Sequence, residues 1–304
     1  MVAVFREPGG AGAERVQAMT AALAPSRRVA APGALGGALA VWRGELLKLV
    51  AHVWTRGAIA LCVVGPFLAV AVLQAQSSVP EDTLFGRWVH SSGFALPLVI
   101  LAFSGQWVLP VLAAVVAGDI FSSEDQHGMW KAVLTRSCSR SQIFAGKVLA
   151  ALTWSVMVVV VLAAASITAG LLIGHQPLID LSGRLQPAGH SIALVIASWA
   201  TALPPTLGFT ALALFLSVLT QRSIIGIGGP VVLGLAMQLA SLANGPDLLR
   251  VLLVTTGLDA WHGLWVEPVF TGPLVQGVVV SAVWCVLAAA AAYLVFLRRD
   301  VSPS

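Results

Sequence analysis

Apolar residues run along this chain in long blocks rather than in short alternating stretches. Blocks almost free of charge occupy about 57–75, 93–118, 143–174, 190–219, 224–243 and 273–297. A helix that crosses a bilayer needs roughly 20 apolar residues, and the six blocks reach that length. The second, fourth and sixth contain no Asp, Glu, Lys or Arg, and the third has only Lys147, near its start. The pattern predicts an all-α integral membrane protein with six transmembrane helices and both termini on one side. Ahead of the first block, Leu39, Trp42, Leu46, Val50 and Val53 recur at helical spacing, opposite a polar stripe of Glu45, Lys48, His52 and Arg56. That spacing predicts an amphipathic helix over 35–56 lying in the membrane interface, with Trp42 and Trp54 as anchors. The organisation that follows is a flexible tail over 1–34, the interfacial helix, a six-helix domain over 57–298, and a short tail over 299–304. Within that domain the 244–272 stretch holds an apolar piece, Leu248 to Leu258, that is too short to span, then Trp261, His262 and Trp265. It predicts a re-entrant or surface-lying segment on the outer face.

Composition agrees with this picture. Of the 304 residues, 58% are hydrophobic and only 10% charged, and the mean hydropathy is +0.91. A soluble domain carries about 25% charged residues and could not cover its surface with so few. The pI near 9.4 would suit a nucleic-acid partner if the basic residues formed a stripe, but they do not. They sort by topology instead. With the N-terminus inside, fourteen of the seventeen Lys and Arg residues fall on inner segments, and only Arg87, Arg184 and Arg250 fall outside. This lopsided split fixes the expected orientation, with both termini cytoplasmic, and excludes nucleic acid as a partner.

The chain lacks the sequence signatures of an enzyme. It has no GxxxxGK[ST] phosphate loop, no HExxH and no GxSxG. Its three cysteines show no pairing pattern, and His175, His190 and His262 lack metal-ligand spacing. No catalytic, cofactor or metal site is expected. The span centres carry no ionisable residue, which argues against ion-driven secondary transport and against a voltage sensor. No inverted repeat is evident either. If this protein moves something, the energy must come from a partner. Gly226-Ile227-Gly228-Gly229 reads as a site of close helix packing. Trp107, Trp154, Trp199 and Trp284 lie well inside spans, where aromatic rings either pack helices or line a path for an amphipathic substrate. Pro204 and Pro205, adjacent near the middle of the fourth block, predict a kink or hinge.

One short stretch concentrates the polarity. From Gly118 to Lys147 the chain is acidic first (Asp119, Glu124, Asp125) and basic second (Lys131, Arg136, Arg140, Lys147). That order suits a short helix over about 121–134, and Ser139-x-x-Gln142 reads as a capping box opening the third span. The pattern Glu124-x-x-x-Gly128, then Leu134-Thr135-Arg136, Ser139-Arg140 and Gly146-Lys147, resembles the loop of ABC-2 type permeases. Met129 stands where that family commonly has Thr, and Ser137 where it commonly has Pro. The resemblance implies the six-helix architecture of type V exporters, with 119–142 as a cytoplasmic coupling loop. It further implies docking onto two copies of a separate ATPase subunit, which would carry ATP and Mg, and pairing with a second permease as a homo- or heterodimer. Carried over by motif, Phe121, Glu124, Gly128, Trp130, Arg136, Arg140 and Lys147 become the docking candidates. The implied work is export of a drug, antibiotic, peptide or lipid-like compound across a bacterial plasma membrane. The alternatives are a sodium-extruding permease of the same family and a scaffold or channel that works without an ATPase.

Overall fold

A computed structural model of the protein describes residues 34–76, 84–126, 139–242 and 251–298. Helix α1 covers Ala34–Ala51 and α2 covers Val53–Ala75. Next come α3 (Ala95–Phe103), a π-helical turn (Ser104–Val108), α4 (Leu109–Asp119) and the short α5 (Ser122–Gln126). The long α6 (Arg140–Ile173) leads into a two-stranded hairpin, β1 (Leu178–Ile179) and β2 (Leu185–Gln186). Then follow α7 (Ala188–Thr201), α8 (Leu203–Thr220), α9 (Ser223–Leu242), two 3₁₀ turns (Val254–Leu258 and Ala260–Trp265) and α10 (Gly272–Arg298). Among the described residues, six helices are long and apolar enough to cross a membrane: Val53–Ala75, Ala95–Gln126, Arg140–Ile173, Ala188–Thr220, Ser223–Ser241 and Gly272–Arg298. They are the six blocks read from the sequence, numbered below as spans 1 to 6. The end of the bundle where residues 119–126 and 139–147 lie is called the hub end.

Small residues let the spans approach closely. A Cβ on Gly118 of span 2 would stand 2.3 Å from the Gly226 carbonyl carbon of span 5, and Gly93 meets the Gly170 backbone of span 3 in the same way. The glycine-rich run in span 5 therefore serves packing, as its pattern suggests. Buried polar groups link neighbouring spans. Trp154 Nε1 of span 3 donates to the Leu112 carbonyl of span 2 (2.8 Å), and Ser155 shares a 2.7 Å hydrogen bond with Thr210 of span 4.

Two spans are interrupted. Span 4 breaks at Ala202, and Pro204 and Pro205 begin its second half in the first turn of α8, where missing N–H groups cost least. Side-chain hydroxyls add hydrogen bonds around the break: Thr201 Oγ1 donates to Ser198 O (2.7 Å) and Thr206 Oγ1 to Ala202 O (2.6 Å). The π-helical turn interrupts span 2, and Gln238 of span 5 donates its side-chain amide to the Gln106 carbonyl there (2.9 Å).

In the described part of the segment between spans 5 and 6, the stretch from Val254 packs into the bundle. Val254 packs on Gly208 of span 4, Leu258 on Gly105 of span 2, and Gly257 on Gly277 of span 6. Along its own helix, Gly105 is about 21 Å from Asp119. Protein encloses this 3₁₀ backbone on the side of spans 2, 4 and 6. Trp284 Nε1 donates to Leu252 O (3.0 Å), satisfying one of its carbonyls from span 6.

At the far end, Phe85, Leu178, Trp261 and Trp265 pack together as a cap. The hairpin beneath it is held by Asp180, whose carboxylate accepts from Ser182 N (2.9 Å), Arg184 N (2.8 Å) and Gln186 Nε2 (2.8 Å). Burial works against that charge. The Gln186 amide and the two backbone donors, helped by the Arg184 guanidinium, outweigh it and hold the carboxyl below its ordinary value. The same turn reaches the 5–6 segment where Leu181 N donates to Trp265 O (2.9 Å), Glu267 N donates to Ser182 Oγ (2.8 Å) and Arg184 forms an ion pair with Glu267.

Helix α1 differs from its expected boundaries and facing. It ends at Ala51, and span 1 starts at Val53 after a single non-helical residue, so Arg56 lies in the first turn of the span. Leu35, Leu39, Leu47 and Val50 are exposed, whereas Glu45 is buried. The helix rolls its acidic position towards span 3 because a countercharge waits there.

Candidate functional site: a polar hub at residues 119–147

The hub grows from two residues of one motif, Gly146 and Lys147. Gly146 lets α1 sit against span 3: a Cβ there would stand 2.6 Å from Val41 and 2.7 Å from the Ala38 carbonyl. Gly37 makes the matching approach on α1, against the Gln142 side chain. With α1 this close, Lys147 reaches across. Its Nζ lies 3.2 Å from Glu45 Oε1 of α1 and 3.0 Å from Glu124 Oε1 of α5, and it donates to the Ile120 carbonyl (2.7 Å). Lys48 closes the ring, 2.8 Å from Glu45 and 3.1 Å from Glu124. Burial works against the Lys48 charge, but the two carboxylates outweigh it and raise its ammonium above the ordinary lysine value.

Two lysines and two glutamates thus form a neutral quartet joining α1, α5 and span 3. Lys147 is 1% exposed and Glu124 3%, so this is an interior assembly rather than a surface ion pair. Glu124 Oε2 is buried with no hydrogen-bond partner among the described residues.

Further contacts fix α5 and the residues just before it. The Phe121 ring, whose face lies 5.4 Å from the Lys147 ammonium, packs with Phe144 of span 3 and Phe296 of span 6, with centroids 5.6 and 5.5 Å away. Ser122 N donates to Ser217 Oγ at the end of span 4 (3.2 Å). Ser223 Oγ, at the start of span 5, donates to Asp119 (2.5 Å) and shares a 3.0 Å hydrogen bond with Ser122 Oγ. Residues 119–126 therefore touch α1 and spans 3, 4, 5 and 6. Across the loop, the capping box is present: Ser139 Oγ accepts from Gln142 N (3.3 Å), and Gln142 Oε1 accepts from Ser139 N (2.8 Å).

The sequence-derived candidates divide as follows. Phe121, Glu124 and Lys147 come together, and all three face the interior. Arg140 lies at the start of span 3 and donates to Leu297 O of span 6 (3.4 Å). Gly128, Trp130 and Arg136 fall outside the described residues, as does most of the helix expected over 121–134. Of the tryptophans, Trp154 and Trp199 are buried in the core, whereas Trp107 is 46% exposed and Trp284 half-buried. Sequence reasoning missed Glu45 and Lys48, which read as a solvated stripe. The signal was Lys147 itself: a lone cation within an apolar run needs a countercharge, and span 3 supplies none.

The chain is a six-span bundle whose residues 119–126 are tied to α1 and to spans 3, 4, 5 and 6. Residues 43–237 match the family described as ABC-2 family transporter protein. The chain belongs to that family. The match covers about two thirds of the protein and contains the whole quartet, the capping box and spans 1 to 4. It ends within span 5, ahead of the 5–6 segment and span 6. A search of curated proteins found no match. The protein is therefore a multi-pass ABC-2 family membrane protein, the permease component of an ABC transporter.

Proposed function

We propose that this permease exports a drug, antibiotic, peptide or lipid-like compound and is driven by two ATPase subunits docked at the 119–142 loop. ATP and Mg are bound on those partners, the permease acts as a homo- or heterodimer, and the loop faces the cytoplasm of a bacterial cell. One observation carries this reading: residues 119–126 are tied at once to α1 and to spans 3, 4, 5 and 6. A push on the loop would reach nearly every helix, as a transmission element requires. In this reading Glu124, Lys147 and Phe121 transmit force inside the permease. Gly128, Trp130, Arg136 and Arg140 supply the contact with the ATPase, with Trp130 as its apolar anchor.

The test is purification of the tagged full chain from its native membrane, followed by assay of co-eluting vanadate-sensitive ATP hydrolysis. Trp130→Ala and Arg136→Glu should remove the co-eluting activity without changing the permease's elution. Persistence of the activity in both variants would reject docking at this loop, and an absence of ATPase activity from the wild-type preparation would favour an ATPase-independent scaffold.

A further inference from the structure

The break in span 4 borders a cavity of about 230 Å³. Ala200, Thr201 and Pro204 of span 4 form one wall. Gly257 and Ala260 of the 5–6 segment, with Gly277 of span 6, form the other. Four of these six residues are glycine or alanine, so little side chain fills the space. The glycines also bring the second wall together, since a Cβ on Gly277 would stand 2.9 Å from the Gly257 Cα. The cavity opens on the outside of the bundle, where Ala200 and the lining residue Val278 are both exposed. Gly277 is the sixth residue of the 27-residue span 6, which places the cavity nearer the far end than the hub end.

The proline pair gives the first wall its chemistry. In a continuous helix the N–H groups of residues 204 and 205 would donate to the carbonyls of Ala200 and Thr201. Both positions are proline and carry no N–H. The Ala202 N–H, shared between the Trp199 and Ala200 carbonyls, makes up part of the loss. The hydroxyls at the break are spent elsewhere, that of Thr201 on Ser198 O and that of Thr206 on Ala202 O. Two residues whose carbonyls lack their helical donors thus line an otherwise apolar space. Irregular backbone within a span is tolerated where it lines a cavity, and here it does.

These features select an occupant. The volume falls below the roughly 300–1,000 Å³ that encloses a drug-sized ligand, so the cavity takes one end of a molecule. No lining residue is ionisable, so a charged group would enter without a countercharge. The span 4 wall offers acceptors, which refuse a carboxylate and call for a donor. We propose that the cavity binds the hydroxyl-bearing end of a neutral amphipathic molecule. Its O–H donates to the Ala200 and Thr201 carbonyls, and its alkyl part lies against the glycine and alanine wall. The proposal rests on the export reading and selects the lipid-like cargo within it. Binding is read without ATPase or transport, so the two readings fail separately.

The experiment is photolabelling of the full chain in nanodiscs with a diazirine-bearing octanol, the adducts being mapped by mass spectrometry. Labelling should be saturable and centred on residues 200–204, 257–260 and 274–278. Octanol should compete with it, and heptyl methyl ether, equal in heavy atoms but without a donor, should compete about fivefold less well at equal membrane mole fraction, the worth of one hydrogen bond. Pro204→Ala with Pro205→Ala returns an N–H to each carbonyl and should erase that preference. Val278→Trp should block labelling at the cavity. Val279→Trp, equally exposed but off the lining, should leave it intact. Competition in wild type decides the matter if the variants do not fold. Labelling spread evenly over the spans, equal competition by alcohol and ether, or a preference that survives in the folded double proline variant would overturn the proposal. Octylammonium competing as well as octanol would also overturn it, and would mark a cation site.

Discussion

Replacing Lys147 by Met removes one charge from the quartet while keeping the side chain's length and apolar stem. The Lys147 ammonium makes three short contacts, to Glu124 (3.0 Å), Glu45 (3.2 Å) and the Ile120 carbonyl (2.7 Å), and is almost wholly buried. Its loss leaves two carboxylates and one ammonium, a net buried negative charge. Breaking a buried ion pair from one side costs about 3–5 kcal/mol, because the partner charge is stranded. Lys48→Met deletes the other cation, but the Lys48 side chain is 56% exposed. Water screens that pair, and its loss should cost about 1 kcal/mol or less. The two substitutions change the same formal charge and should differ by at least about 2 kcal/mol. Charge balance also makes the double variant informative. Lys147→Met with Glu124→Gln restores neutrality, so it should be more stable than Lys147→Met alone by roughly 1–2 kcal/mol. Reversible unfolding of the purified chain in mixed micelles, followed by tryptophan fluorescence across a denaturant series, measures all three. Equal losses for Lys147→Met and Lys48→Met, or a double variant no better than Lys147→Met, would refute the quartet as a buried, charge-balanced unit.

Other expected outcomes come from the packing and the far-end turn. Gly226→Ala and Gly118→Ala place a Cβ about 2.3 Å from opposing backbone and should each destabilise the chain by roughly 1–3 kcal/mol. Gly228→Ala in the same helix meets nothing within 4 Å and should be near neutral in the same unfolding assay. Ser139→Ala removes the acceptor of the capping box and should cost about 1 kcal/mol, read as faster amide exchange over the first turn of span 3. Asp180 has a folded carboxyl held below its ordinary value, so its contribution is full above the unfolded carboxyl pKa of about 3.9 and fades as pH falls through the lower folded value. Hydrogen exchange of the Ser182 and Arg184 amides should accelerate in that acidic window, and Asp180→Asn should show the fast rate at neutral pH as well.

The spans were legible because a long apolar block has one physical meaning, and their boundaries moved by only a few residues. The kink at Pro204 and Pro205, the Ser139–Gln142 cap and the close approach at Gly226 were legible for a similar reason, since each depends on local backbone chemistry. The rotation of α1 was not legible. Periodicity shows that Glu45 and Lys48 share a face, but a charged face can meet water or a buried countercharge, and only the position of Lys147 decides between them. The seat of the 5–6 segment was hidden more completely. It is set by contacts distant in sequence, Leu258 on Gly105 and Val254 on Gly208, which no local pattern encodes.

The quartet also decides how span 1 relates to the rest of the bundle. The described contacts of residues 119–126 reach α1 and spans 3 to 6, and the quartet makes α1 part of the hub. Span 1 packs along span 3 but joins the hub through the chain itself, at His52. There the backbone leaves the helix for one extended residue (φ −77°, ψ 129°), although His52 N still donates to Lys48 O (3.0 Å). Arg56 Nε reaches back to Val50 O (2.7 Å) and holds the corner. A single extended residue changes direction without melting a turn on either side. The quartet and the close approach at Gly146 therefore seat α1 on span 3, and the chain changes direction at His52 between that seated helix and span 1. The glycine sets the distance of α1 from span 3, and the lysine holds it there.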